Sequence, residues 1–325
     1  MDRASHPKRA ASIRTLLRTA FTLASLAWII HWLRASGSTL ALPPGFHWGY
    51  ALMALILVPA GLFFRAWKWQ MTVALLEPKA SLKESFASYV GAVPLSLLTP
   101  GRLGELSRGI YFPYPSLHGL RASGLVAVDK YTDLLAVLAW SIPGVAALFG
   151  GLGAAGALAV LVVLLPLPSW LGRLRPSEGV TSQSGLWRWV GKIVPPAAFV
   201  TAPRMLRLTL AGCAGFGVEW IQFAFLLNAA DSVTPFLPVA GMAALITLIN
   251  SLQLTIAGLG VREGLAIALL GPMGISPEAA VFAAFSLFCL NLLIPACIGL
   301  AMKPHGLIGA RDAAAAAAAA GRTAP

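Results

Sequence analysis

The chain has 325 residues, 58% of them hydrophobic and only 11% charged, with a formal net charge of +12 and a mean hydropathy of +0.77. Soluble domains carry about a quarter of their residues as charges, so this composition excludes an ordinary soluble fold and requires an integral membrane protein, counted in spans of about 20 residues. The basic residues crowd into segments between apolar runs, where they set orientation, and are not a nucleic-acid footprint.

The elements follow in chain order. A basic segment with Arg3, Lys8, Arg9 and Arg14 precedes an apolar run at 16–33 that contains Trp28 and Trp32. No small-residue cleavage site follows it closely, so it reads as an uncleaved first span rather than a removed signal. Pro43-Pro44-Gly45 marks a loop, and a second span runs over 48–64. It closes in Arg65-Ala66-Trp67-Lys68-Trp69, which reads as an aromatic and basic anchor at a membrane interface. After the polar connection "EPKASLKE", the stretch 85–98 is apolar but short and stops at Pro100-Gly101. A run of that length reads as re-entrant.

Apolar stretches at 124–149 and 153–167 are divided by the glycine-rich "FGGLGAAG". The polar region 168–207 holds Arg173, Arg175, Arg188, Lys192, Arg204 and Arg207, and a further span covers 208–229. "DSVTPFLP" is a turn. The run 239–256 is again half-length and ends at Ala257-Gly258-Leu259-Gly260, and the last span is 279–302. An alanine-rich, low-complexity tail closes the chain. The division expected is a cytoplasmic segment 1–12, a transmembrane domain 13–303 and a tail 304–325. Cys213, Cys289 and Cys297 lie inside apolar runs and read as buried thiols without a disulfide or metal framework.

With the N-terminus in the cytoplasm, the basic segments fall inside and only Arg34 remains outside, away from the two broken elements, as the positive-inside rule requires. One broken element then enters from each face. The fold class expected is an all-α integral membrane protein: a polytopic helical bundle with two re-entrant broken-helix elements in an inverted repeat. Pro100-Gly101-Arg102-Leu103-Gly104 sets beside Ile256-Ala257-Gly258-Leu259-Gly260 as the two breaks. The expected location is the inner (plasma) membrane.

Broken backbone in hydrocarbon is tolerated only where protein or a water-filled cavity supplies partners. A helix starting at a break offers unpaired N–H groups and partial positive charge. Arg102, Arg108 and Arg262 add full charges, and arginine presents a bidentate fork to a phosphate. Glu105 and Glu263 would hold these arginines while the site is empty and offset part of their field. The candidate substrate-binding set is therefore Pro100, Gly101, Arg102, Gly104, Glu105, Arg108, Asp129, Asp133, Gly258, Gly260, Arg262 and Glu263. A bland alternative stands beside it, in which these charges only pin two hairpins together. Asp129 and Asp133 share one helical face by their i, i+4 spacing and could meet Arg102 or Arg108, relay protons, or pair at the interface. Glu219, a lone acid inside a span, is either a coupling proton site or the partner of a buried arginine. Asn250 and Gln253 read as partners for broken backbone. The scattered histidines have no metal-ligand spacing and no phosphate loop or hydrolytic motif appears, so no cofactor, metal or catalytic residue is expected.

"TPGRLGELSRGIY", "VDKYTDLL" and "AGLGVREGLAI" resemble three signature stretches of the membrane domain of lysylphosphatidylglycerol synthase/flippase proteins. Those read Pro-Gly-Gly-Leu-Gly-Glu with a following Arg, an acidic Glu-Arg/Asp-Leu stretch, and Pro-Gly-Gly-Leu-Gly-Val-Arg-Glu-Gly. The resemblance covers about residues 10–303. The departures are Arg102 for the second glycine, Asp129-Lys130 for Glu-Arg, and Ile256-Ala257 for Pro-Gly. The resemblance implies a flippase-like domain that handles anionic or isoprenoid-linked lipids. It implies no aminoacyl transfer, since the soluble transferase domain of bifunctional members has no counterpart here. The function expected is a lipid flippase or transporter, with a membrane lipid as substrate and further copies of the chain or lipid-biosynthesis enzymes as protein partners. A membrane-embedded lipid-modifying enzyme and a non-transporting scaffold of a lipid or glycan biosynthesis complex are the rival readings.

Overall fold

The computed structural model describes residues 27, 31, 45–112, 114, 117, 120–168, 201–230, 234–251 and 255–302. The expected first span apart from residues 27 and 31, the centre of the polar loop, Gln253 and the alanine tail lie outside the described residues. The described residues are all-helical, with no strand. Four stretches, Trp48–Val73, Ala122–Leu164, Ala202–Ala230 and Pro277–Ala301, are long and apolar enough to cross a membrane. The protein is a multi-pass membrane protein.

Helices α1 (Trp48–Ile56) and α2 (Val58–Val73) follow one another across an interruption at Leu57, just before Pro59. Proline has no N–H to bond the preceding turn, and the buried Gln222 donates to the Ala54 carbonyl at this break, at 2.9 Å. Helix α3 (Leu82–Leu98) starts at a capping box, in which Ser81 Oγ accepts from the Glu84 amide and the Glu84 carboxylate accepts from the Ser81 amide. Such reciprocal pairs satisfy orphan N–H groups at a helix start. The chain turns at Thr99 and runs back along α3 as a 3₁₀ segment, Pro100–Tyr111. These two arms are hairpin one. Gly104 is required where the arms touch, because a Cβ there would strike the backbone of Leu95 and Ser96.

Helix α4 spans Leu120–Leu164 and would measure about 65 Å if straight, far beyond a hydrocarbon core of about 30 Å. It is broken at Gly150, whose φ is 68° and ψ −166°, a conformation open to glycine without a steric cost. The Tyr131 hydroxyl donates to the Leu164 carbonyl, so the second leg doubles back beside the first. This is the division expected at "FGGLGAAG". Helix α5 is Ala202–Ala230. Helix α6 (Phe236–Asn250), a short turn Ile256–Gly258 and α7 (Val261–Leu270) form hairpin two. Helix α8 (Pro277–Phe288) passes through a π-helical turn, Cys289–Leu293, into α9 (Ile294–Ala301).

The largest core cluster joins α5, α6, α7 and α8 through Trp220, Phe223, Leu227, Met242, Leu270 and Ala283. Gly144 of α4 and Gly241 of α6 cross backbone to backbone, leaving no room for a Cβ on either. Outward faces are apolar, with Leu152 88% and Trp48 69% exposed, as acyl chains favour. Cys297 is exposed, and Cys213 and Cys289 are half-buried free thiols. The expectation of buried cysteines is therefore met by none of the three in full and fails outright for Cys297, which sits on the outward side of α9.

Two sets of contacts define the ends of the bundle. At one end the His47 amide donates to Ala229 at 2.9 Å, the Ile275 amide bonds Leu270, and Phe46 packs on Phe282. At the other end Val73, Ala80, Phe112 and Leu117 cluster, beside Val128, Met205 and Leu208. Hairpin two has its feet at the first end and hairpin one at the second, and their tips face one another. In a background with the three native cysteines replaced, Gly151→Cys and Gly271→Cys are expected to react with an impermeant thiol reagent on one face of sealed vesicles, and Lys79→Cys on the other. Labelling of Lys79→Cys and Gly271→Cys from the same face would contradict the opposed hairpins.

Candidate functional site

Helix α2 presents Arg65, Lys68, Trp69 and Thr72 on one face, at i, i+3, i+4 and i+7. Lys68, Trp69 and Thr72 are buried. The interface-anchor reading of residues 65–69 is therefore corrected: the helix continues to Val73, and this basic and aromatic face points into the bundle. Its charges meet those of α4 and hairpin one.

Six side chains close a ring of alternating charge. Lys68 Nζ lies 2.8 Å from Asp129 Oδ1 and 2.7 Å from Asp133 Oδ1. Arg108 binds Asp129 Oδ2 at 2.7 Å and Glu105 Oε2 at 2.6 Å. Lys130 meets Glu105 Oε2 at 2.6 Å and Asp133 Oδ2 at 3.5 Å. Lys68, Glu105, Arg108 and Asp129 are buried. Buried charge is tolerated when paired and hydrogen-bonded, and here each cation sits between two carboxylates. The Arg108 guanidinium also lies over the rings of Trp69 and Tyr89, 4.9 and 4.7 Å from their centroids, and its buried Nε has no hydrogen-bond partner among the described residues. Ser88 Oγ donates to the Arg108 carbonyl at 2.8 Å and accepts from Trp69 Nε1 at 3.1 Å.

In front of this ring, between the two tips, is a cavity of about 470 Å³. Arg102, Glu105, Lys130 and Asp133 line it on the hairpin-one side. Arg65 and Glu219 form an ion pair on its wall. Gly258, Asn250 and Arg262 contribute from hairpin two, and Asn291 from the π-helical turn. Arg262 pairs with the adjacent Glu263 and lies over the Phe288 ring at 4.8 Å. Glu263 Oε2 also accepts from the Gly260 amide at 2.6 Å, so one buried carboxylate caps α7 and holds the arginine. Leu103 and Leu106, both exposed, extend the lining of the cavity with apolar side chains.

Of the residues expected in the site, Arg102, Glu105, Asp133, Gly258, Arg262 and Glu219 line the cavity. Arg108 and Asp129 lie behind it in the ring. Gly104 packs the arms of hairpin one, Gly260 is the capped start of α7, and Pro100 and Gly101 open the 3₁₀ segment. That segment takes the place of the α-helix start expected after the first break. Glu219 is held by Arg65, which matches the buried-partner alternative. Asp129 reaches Arg108, whereas Asp133 reaches lysines. Composition-level reading missed Arg65, Lys68 and Lys130. The helical spacing of Arg65, Lys68 and Trp69 was the available signal.

Arg102 and Ala257 are the non-glycine residues with positive φ among the described residues, at 54° and 53°. Both stand where the motifs of the resembled family carry glycine. Gly258, set beside Arg102 in the comparison of the two motifs, also has positive φ, at 75°. The field at the site is more balanced than three arginines against two glutamates. The cations Arg65, Lys68, Arg102, Arg108, Lys130 and Arg262 face the carboxylates Glu105, Asp129, Asp133, Glu219 and Glu263, which leaves one positive charge in excess.

The family described as lysylphosphatidylglycerol synthase TM region matches residues 15–299. No curated protein matches the chain.

Removing one partner of a buried ion pair costs about 3–5 kcal/mol, because the other charge is left uncompensated. Arg108→Ala is therefore expected to lower the melting midpoint strongly and to reduce the folded protein recovered from the membrane. Ala257→Gly relieves a left-handed residue and should be neutral or stabilising by up to about 1 kcal/mol, the scale of such backbone effects. Equal midpoints for Arg108→Ala and the parent protein would remove the ring from the stability of the fold.

Proposed function

The chain belongs to the lysylphosphatidylglycerol synthase TM-region family, and from that premise we propose that it translocates a phosphate-bearing membrane lipid. The headgroup binds between the two hairpin tips while the acyl chains remain in the bilayer. In this reading both hairpins are re-entrant halves of an inverted repeat in the inner membrane, with the N-terminus in the cytoplasm. Broken elements meeting at midplane are where transporters of that design bind substrate.

The observation that carries the reading is the cavity itself. About 470 Å³ suits a headgroup, within the usual range of small-ligand pockets. Its polar lining bears one excess positive charge, and the half-exposed Arg102 and Lys130 offer free donor capacity toward it. Leu103 and Leu106 continue that lining toward acyl chains. An uncharged headgroup would leave the excess positive charge of the lining unbalanced, whereas a phosphate forms charge-assisted hydrogen bonds to these cations. Glu105 and Asp129 are each clamped by cations, which supports transport over acid–base chemistry on the lipid. The Arg65 pair supports a structural rather than a proton-carrying Glu219.

Reconstituted at one fixed ionic strength, the protein is expected to bind and flip phosphatidylglycerol in preference to an uncharged diacyl galactolipid of equal chain length. Constant salt matters because exposed basic loops attract anionic lipid through a screened field. Arg102→Gly keeps the backbone bend and removes a cavity cation, and Arg262→Gln removes the planar fork. Each should reduce the preference for the phosphate lipid more than it reduces binding of the galactolipid. Equal affinity for both lipids, unchanged by either substitution, would defeat the headgroup reading.

A further inference from the structure

We infer that Lys130 is the residue through which a bound phosphate ester acts on hairpin one: it exchanges Glu105 for an anionic oxygen of the ligand, and so makes the site respond to anions. This rests on the translocation reading above, which supplies the ligand.

The ring is closed but unequal around its circumference. Lys68 and Arg108 are buried, and each is held by two carboxylates at 2.8 Å or less. Lys130 is the ring's accessible cation, with 40% of its side chain exposed, and it lines the cavity. Its link to Asp133, at 3.5 Å, is the longest in the ring. Its link to Glu105 is one of the two that tie hairpin one to α4, the other being Arg108 to Asp129. Arg102, 37% exposed and 3.9 Å from the same carboxylate, flanks the same opening. An anion entering between Arg102 and Lys130 therefore competes with Glu105 for both cations at once.

The exchange leaves no buried charge alone. Glu105 keeps Arg108, Arg108 keeps Asp129, and Lys130 gains the ligand in place of the carboxylate. A lysine suits this step, since its ammonium is a compact charge on a flexible stem with three rotatable donors. A ligand shifts a conformational equilibrium only as far as it binds the two states differently, and a headgroup without negative charge gives Lys130 no alternative to Glu105. Hairpin one is the arm prepared to respond. Its second arm is a twelve-residue 3₁₀ run, whereas runs beyond three or four residues are uncommon because the hydrogen-bond geometry is poor. Its third residue, Arg102, is left-handed, and the arm exposes Leu103, Leu106 and Ile110. This arm is held on α3 by the close contact at Gly104 and by the bonds from Ser88 to the Arg108 carbonyl and from Tyr111 to the Gly91 carbonyl, and the ring adds the ion pairs that pin it to α4.

Amide hydrogen exchange over residues 101–111 tests the inference, with the full chain in nanodiscs of uncharged galactolipid, with or without phosphatidate. Phosphatidate should speed exchange of this segment several-fold in the parent protein and in Lys130→Arg. In Lys130→Met, exchange should be raised before any phosphatidate is added and should not respond to it. A merely structural lysine would give the raised baseline but keep the response. Inorganic phosphate added to galactolipid nanodiscs separates the sources: a rise equal to that with phosphatidate supports the exchange with a free anion as ligand, and a rise with phosphatidate alone assigns it to a lipid headgroup. Phosphatidate binding, followed by native mass spectrometry, without any change in exchange would overturn the inference and leave the translocation reading standing. So would a full response in Lys130→Met. Absence of phosphatidate binding would overturn both.

Discussion

Lys68, Glu105, Arg108 and Asp129 are charged groups buried in a bundle of membrane-crossing helices, and each must find an opposite charge inside the protein, because lipid offers it none. That requirement fixes how three separate stretches of chain meet. The inner face of α2 brings Lys68, with Trp69 beneath the Arg108 guanidinium. The start of α4 brings Asp129, Lys130 and Asp133 on one face, and hairpin one brings Glu105 and Arg108 three residues apart. With each cation between two carboxylates, the seat of hairpin one follows, and the cavity forms in front of it.

Hairpin two is held by different physics. Its arms pack in the main apolar cluster with α5 and α8, and its charges are local: Glu263 caps Gly260 and pairs with the neighbouring Arg262. A local cap stabilises the start of α7 wherever that helix sits, whereas a long-range ring stabilises hairpin one only in its seated position. The two tips each carry a positive-φ residue, Arg102 and Gly258, but differ in what anchors them. The side of the site with exchangeable ion pairs is hairpin one, and the side with a fixed cation is hairpin two.

Where glycine occurs in the motifs of the resembled family, this chain carries Arg102 and Ala257 at positive φ. A left-handed residue with a Cβ costs roughly 1–2 kcal/mol, so each position adopts its bend at some loss of stability. At Arg102 the substitution places a cation at the cavity. At Ala257 nothing in the structure offsets the cost.

The all-helical class, the placing of the later spans, the break at Gly150 and the two interrupted motifs were legible in the sequence, because each depends on local properties: run length, glycine, proline, and the charge of the loops. Of the residues at and just after the breaks, Arg102, Glu105, Ala257, Gly258 and Arg262 line the cavity, as polar groups gather where backbone is interrupted. The partners of those residues were not legible. Which arginine faces the cavity and which lies behind it depends on the rotation of hairpin one against α3 and α4, and no local rule sets that angle. Arg65 and Lys68 looked like an interface anchor because a basic and aromatic cluster reads the same on an exposed helix end and on a buried helix face. Lys130 gained its place only because Glu105, 25 residues earlier, was folded against it. Charge pairing across such separations is a property of packing, and only the tertiary structure decided it.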